Sequence, residues 1–176
     1  MEILVVCGSQ RNGGNTEIMA QAFAQGARES GNSVTVKKLS SLKVAPCLDC
    51  EYCFTHGGAC IQHDGMAEIL EAFDKADMLV IASPIYWFDI TAQTKAVIDR
   101  LYAREKTGYR QISTALLLDS ESDDVYTAAI ASYKAIDEYL HWTDRGIITI
   151  SGMALKGSMN ESPELKKVID LGKSLR

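Results

Sequence analysis

Residues 3–16 read ILVVCGSQRNGGNT. Ile3 to Cys7 form an unbroken apolar run of strand length, the pattern of a parallel strand whose two faces are both covered by helices. Gly8 and Ser9 end the run. Beyond the polar loop, Ile18, Met19, Ala22, Phe23 and Ala27 recur at helical spacing until Gly31 and Asn32 stop them. The unit is strand, loop, helix, and the loop opens directly onto a helix N-terminus.

The same alternation continues along the chain. Val34, Val36 and Leu39 give a second strand, and residues 40–64 read mostly as loop. Met66, Ile69, Leu70 and Phe73 mark a helix, and Met78 to Ala82 form a third, fully apolar strand that stops at Ser83 and Pro84. A helix is predicted from about Thr91 to Tyr102, a fourth strand over Ala115 to Leu118, and a helix from Val125 to about Leu140. Ile147 to Ile150 make a fifth strand, and Ser162-Pro163-Glu164 read as the N-cap and first turn of a last helix. Strands that alternate with helices imply an α/β chain with a five-stranded parallel sheet, because parallel neighbours need crossover connections. Ligands of such sheets bind beyond the carboxyl ends of the strands, where the strand order reverses. The loops after strands one, three and four are therefore expected to carry the function.

The loop after strand one suits an anion. A helix N-terminus presents unpaired N–H groups and partial positive charge. Ser9 and Thr16 offer hydroxyls, Asn15 an amide, Gly14 an accessible backbone, and Arg11 a charge-assisted pair. Known phosphate loops can be tested by counting. A Walker A loop requires Lys then Ser or Thr where this chain has Gly14 and Asn15. The dinucleotide fingerprint needs glycine where Gln10 stands. A C-x5-R loop starting at Cys7 would end on Gly13. The competing interpretation is an ordinary polar connection with Asn15 or Thr16 as N-cap. Cys7 itself reads as a small buried core residue.

After strand three, Ser83-Pro84-Ile85-Tyr86-Trp87-Phe88 places three adjacent aromatics at the end of a buried strand. These are walls suited to a flat conjugated ring, or a hydrophobic lip in a subunit interface. Leaving the whole strip in water would be costly, so a symmetric dimer or a dimer of dimers is expected. After strand four, Asp119-Ser120-Glu121-Ser122-Asp123-Asp124 is an acidic loop that either faces the ligand or is a solvated turn.

Four of the five cysteines, Cys47, Cys50, Cys53 and Cys60, fall in the spacing C-x2-C-x2-C-x6-C. Three cysteines at intervals of three can bring their thiolates around one centre, as in runs that hold cubane clusters. Structural zinc more often uses two separated knuckles, which fits less well. Free or redox-active thiols are the third possibility. His56, His63 and His141 read as surface or helix-end residues, and Lys95, Asp99 and Arg100 as an exposed or intersubunit ion pair.

The chain has 176 residues and a net charge of −5. A nucleic-acid partner is not expected, because a phosphate-binding surface needs a basic stripe. Ile3 to Cys7 lack a basic leader and are far shorter than the roughly 20 residues that span a bilayer, so no membrane partner is expected either. The clustered cysteines fit a reducing, cytoplasmic setting.

GSQRNGGNT after the first strand and SPIYW after the third resemble the NAD(P)H-dependent FMN reductases and iron-sulfur flavoproteins of the flavodoxin-like superfamily. The resemblance extends through KAVIDRL at 95–101 and the strand around Gly146 to Gly152. It implies a flavodoxin-like three-layer sandwich of strand order 2-1-3-4-5, one domain over residues 1–176 with a cysteine-rich loop at about 44–64. It implies FMN, its phosphate held by Ser9, Arg11, Gly14, Asn15 and Thr16 and its ring bordered by Pro84, Ile85, Tyr86 and Trp87, with Asp119 and Ser120 nearby. FMN is expected over FAD because the dinucleotide fingerprint is absent. It further implies a [4Fe-4S] cluster on Cys47, Cys50, Cys53 and Cys60. The activity implied is an FMN-dependent oxidoreductase passing electrons between NADH, NADPH or ferredoxin and a small-molecule or protein acceptor. A cluster-free flavin or quinone reductase and a flavodoxin-like electron carrier are the alternatives.

Overall fold

Every residue of β1 (Glu2–Cys7) after Glu2 is buried, and the strand pairs in parallel on both sides. Val5 lies opposite Val36 of β2 (Ser33–Lys38) and Val80 of β3 (Met78–Pro84). In this computed structural model, which describes residues 1–175, β4 (Ser113–Asp119) and β5 (Thr143–Ile150) complete one sheet of order β2-β1-β3-β4-β5, all parallel. The helices are α1 (Asn15–Glu29), α2 (Tyr52–Thr55), α3 (Met66–Lys75), α4 (Ala92–Arg100), α5 (Thr127–Leu140) and α6 (Leu165–Lys173). The expected α/β topology and strand order are met.

Alternate side chains of the strands feed two cores. Ile3, Val5, Cys7, Val80, Ala82 and Leu117 pack beneath α1 and α6, against Met19, Phe23 and Val168. Leu4, Val6, Leu79, Ile81, Leu116 and Leu118 face α3, α4 and α5, against Ile69, Phe73, Val97 and Tyr133. Fully burying one such side chain contributes about 1.5–3 kcal/mol. The α1–α6 crossing depends on glycine for its closeness. A Cβ on Gly26 would lie 2.2 Å from the Ile169 carbonyl oxygen, and one on Gly172 would lie 2.4 Å from that of Phe23.

The boundaries differ from the sequence expectations where local polarity hides the pairing. β5 begins four residues early, at Thr143, because exposed Asp144 and Arg145 belong to an edge strand with a register shift opposite Ala115. α4 ends at Arg100 and tightens into a 3-10 turn at Leu101–Arg104. α6 starts at Leu165, not at Pro163, since Ser158–Glu161 form a 3-10 turn of their own and Ser162 accepts from the Leu165 N–H through its carbonyl. None of the described helices is long and apolar enough to cross a membrane.

The carboxyl ends of β1 and β3 are tied to the start of α4 by hydroxyl groups. Thr91 caps α4, accepting from the Thr94 N–H at 3.2 Å, and donates its own hydroxyl to the Gly8 carbonyl at 3.1 Å. Ser83 Oγ accepts from the Thr91 N–H at 3.1 Å. This approach needs glycine at position 8, where a Cβ would fall 1.8 Å from Thr94 Oγ1. The end of β1 is thereby fixed against the start of α4, at the point where the strand order reverses.

Candidate functional site

At that point a cleft of about 180 Å³ opens, lined by Ser9, Arg11, Gly14, Asn15 and Thr16 from the first loop, by Pro84, Ile85 and Tyr86 from the second, and by Asp119 and Ser120 from the third. Three loops distant in sequence meet in one place. Gly14 is the N-cap of α1, without a side-chain cap. The first intrahelical bond runs from the Ile18 N–H to the Gly14 carbonyl, so the N–H groups of Asn15, Thr16 and Glu17 have no intrahelical acceptor. A Cβ on Gly14 would lie 2.9 Å from the Arg11 carbonyl oxygen, which keeps this turn open to glycine alone. Ser9 Oγ accepts from the Arg11 N–H at 3.1 Å and sets the loop's curvature.

Asn15 departs from the role expected of its amide. Its Nδ2 donates to the carbonyls of Met153 (3.0 Å) and Leu155 (2.8 Å), and its Oδ1 accepts from the N–H groups of Gly157 (2.9 Å) and Met159 (3.2 Å). The side chain is saturated by the loop that follows β5. That loop supplies Met153, Ala154 and Lys156 to the cleft, and Lys156 reaches over Gly13, whose Cβ position lies 3.9 Å from Nζ. Arg11 and Lys156 thus bring two cations to one anion-sized cleft. Lys156 lies outside the loops after strands one, three and four, to which the sequence patterns confine the expected function. Gly152 and Gly157, both left-handed, are the signal that marks the loop.

Thr16 donates its buried hydroxyl to Asp119 Oδ1 at 2.5 Å. Burial pushes the Asp119 carboxyl up to about 6, with the Thr16 hydrogen bond and the Arg11 charge pulling the other way. Below that pH the group beside the anion cleft is neutral. Cys7, at the end of β1, is buried among apolar neighbours, and burial raises its thiol to about 11. It is a core residue.

The aromatic strip folds into a tight turn. Tyr86 and Asp89 exchange backbone hydrogen bonds of 2.8 and 3.3 Å, and both central residues, Trp87 and Phe88, have left-handed φ of 50° and 70°. Two-residue turns of this type favour Asn-Gly, and a non-glycine residue held there costs about 1–3 kcal/mol. Tyr86 lines the cleft, but Trp87 does not: it is 94 % exposed at the tip of the turn. Trp87, expected to border the ligand, thus stands outside the lining of the cleft in this structure.

The cysteine loop lies between β2 and α3. Cys47, Cys50, Cys53 and Cys60 are unpaired and line one small cavity of about 30 Å³ together with Arg100 and Tyr102. Asp49 and Glu51, flanking Cys50, have left-handed φ of 50° and 54°, and the Asp49 N–H points to Cys47 Sγ at 3.5 Å. Burial raises the Cys53 thiol, and the neighbouring thiols of Cys60, Cys47 and Cys50 add to that shift. Among the described residues, no three His, Cys, Asp or Glu side chains converge on a single metal ion. His56 stacks on Tyr52 with ring centroids 3.6 Å apart, and its Nδ1 faces the Tyr52 carbonyl, a helix-end arrangement. His141 caps the end of α5.

Arg100 is the residue whose place differs most from expectation. Lys95 and Asp99 do form an exposed pair, but Arg100 is 3 % exposed. Its guanidinium donates to Asp64 Oδ2 (2.5 Å), to the Ala45 carbonyl (3.2 Å) and to Cys60 Sγ (3.2 Å). Burial alone would raise the Asp64 carboxyl, and the Arg100, Ala45 and Met66 donors outweigh it and hold it low. Arg100 Nε is buried without an acceptor, which costs about 1–3 kcal/mol.

The sequence profile described as NADPH-dependent FMN reductase matches residues 1–135. The chain belongs to that family. Among curated relatives of this NADPH-dependent FMN reductase family member, an iron-sulfur flavoprotein of Archaeoglobus fulgidus is 35% identical over 101 residues, covering 57% of this chain and 46% of the relative. One of Methanosarcina thermophila is 36% identical over 100 residues, covering 57% and 52%. The chain spans about half the length of these relatives. Among solved structures, an NAD(P)H:quinone oxidoreductase from Methanothermobacter marburgensis superposes with a TM-score of 0.75 at 15% identity, covering 100% of this chain and 99% of that one. That likeness concerns the fold.

Proposed function

We propose that this chain is an FMN-dependent oxidoreductase that passes electrons from a reduced donor to a small-molecule or protein acceptor. The observation that carries the reading is the meeting of a capless helix N-terminus, two cations and an aromatic-edged strand end in one cleft. FMN, when bound, supplies the electron and hydride exchange. The protein's part is to hold and orient it. The N–H groups at the start of α1, that of Thr16 among them, the Ser9 hydroxyl and the Arg11 and Lys156 charges hold the phosphate, with Gly14 leaving it room, while the Thr16 hydroxyl stays committed to Asp119. Pro84, Ile85 and Tyr86 border the ring, and Asp119 and Ser120 close the cleft. Asn15 serves through its backbone N–H and through the loop it pins. No side-chain acid or base is required at this site.

A cluster on the cysteine loop is the second element. Four unpaired thiols around one cavity, the left-handed Asp49 whose N–H points to Cys47 Sγ, and a buried cation at Cys60 fit a [4Fe-4S] site, whose thiolates need compensating donors. Cys47, Cys50, Cys53 and Cys60 would hold it. It would supply one-electron exchange with a carrier. NADH or NADPH is the donor class that the family's name favours, and a cytoplasmic setting accords with free thiols.

Protein produced anaerobically with iron supplied tests both elements. Mass spectrometry of the released flavin is expected to find FMN at about one per chain, with about four irons and four sulfides. Stoichiometric FAD would overturn the cleft reading. FMN with no iron and four titratable thiols would leave a cluster-free reductase.

A further inference from the structure

The Arg100 guanidinium bridges groups from both flanks of the cysteine loop. Ala45 precedes Cys47, Asp64 follows Cys60, and Arg100 donates to both while placing one N–H 3.2 Å from Cys60 Sγ. A side chain required to close the loop would need nothing beyond Ala45 and Asp64. The contact with sulfur is additional, and it brings a permanent cation to the one cysteine that is separated from the other three by six residues.

We propose that Arg100 tunes the iron-sulfur site: it raises the reduction potential of the cluster through a charge-assisted N–H···S hydrogen bond to Cys60, the fourth ligand. The proposal rests on the cluster reading above. Reduction adds one negative charge to a centre already anionic from four thiolates. A cationic donor held at a ligand sulfur in a buried position stabilises the more negative state over the less negative one, and the potential of such centres follows their hydrogen bonds and local charge. Arg100 cannot lose its proton, so the effect is constant with pH. Asp64 keeps the guanidinium in place but also offsets part of its charge, which makes the sulfur-directed N–H, and not net charge alone, the tuning element.

The test uses the anaerobically reconstituted protein and two variants. Arg100→Lys keeps a positive charge but lacks the fork that reaches Ala45, Asp64 and Cys60 at once. Arg100→Gln combined with Asp64→Asn removes the charge without leaving a buried carboxylate unpaired. FMN content reports folding, iron content reports the site, and a potentiometric titration followed by electron paramagnetic resonance reports the potential. Both variants are expected to keep FMN and iron, with a midpoint shifted to more negative values, further in the double variant than in Arg100→Lys. If the double variant holds no iron, Arg100→Lys decides by the same shift. An unchanged midpoint in an iron-loaded variant overturns the proposal and leaves the cluster reading intact. So does loss of iron from both variants with FMN retained, which would make Arg100 an anchor of the loop alone. Wild-type protein that takes up no iron overturns the cluster reading itself, and this proposal with it.

Discussion

Asp119 ends β4 buried, one hydroxyl away from the start of α1. Its carboxyl rises from 3.8 to about 6, chiefly through burial, so in the folded chain it holds a proton that the unfolded chain has released. Between about pH 4 and pH 6 the unfolded state binds fewer protons, and stability falls as pH rises through that window. Two units correspond to about 3 kcal/mol at most. Asp119→Asn keeps an acceptor for Thr16 and removes the charge. Urea midpoints of the ligand-free protein are expected to match the wild type at pH 4 and to exceed it at pH 7. Parallel pH profiles for the two proteins would show that Asp119 is not the group that titrates. The carboxyl was visible in the sequence as part of an acidic loop; its burial was not, because DSESDD reads as solvated and the strand's last position takes its environment from α1.

At the scale of elements, the three predicted loops met as expected because continuous apolar runs at residues 3–7, 78–82 and 115–118 fix a parallel sheet, and a parallel sheet fixes where its loops emerge. What escaped was the fourth contributor, the loop after β5. Its attachment depends on the four hydrogen bonds of Asn15, and pairing between positions 15 and 153–159 leaves no periodic trace. Arg100 escaped for a similar reason: in sequence it continues the polar face of α4, and only the return of the cysteine loop buries it. Replacing Asn15 with Ala is expected to release residues 153–159, seen as faster amide exchange at Gly157 and Met159, and to weaken FMN binding by withdrawing Lys156. Unaltered exchange at those amides would mean that Met159, itself fully buried, holds the loop without Asn15.

For the whole molecule, the exposed tip of Trp87 and Phe88 combines apolar surface with backbone strain, and neither feature helps an isolated chain. We infer that the tip is covered by self-association, in a dimer or a dimer of dimers. Trp87→Asn with Phe88→Gly supplies the residues this turn favours. The double variant is expected to sediment as a monomer where the wild type self-associates at micromolar concentration. Its monomer should also be stabler by about 2 kcal/mol or more. A wild type that remains monomeric at that concentration would remove the tip from any interface between copies.

The proposal that the cleft holds a flavin's phosphate is tested most directly by calorimetric titration of flavin-free protein with FMN and with riboflavin. Two or more charge-assisted hydrogen bonds at about 1.5–3 kcal/mol each predict that FMN binds at least about a hundredfold more tightly than riboflavin, and that Arg11→Ala with Lys156→Ala removes most of that difference. Equal affinities for the two flavins, or a full preference for FMN in the double variant, would contradict it.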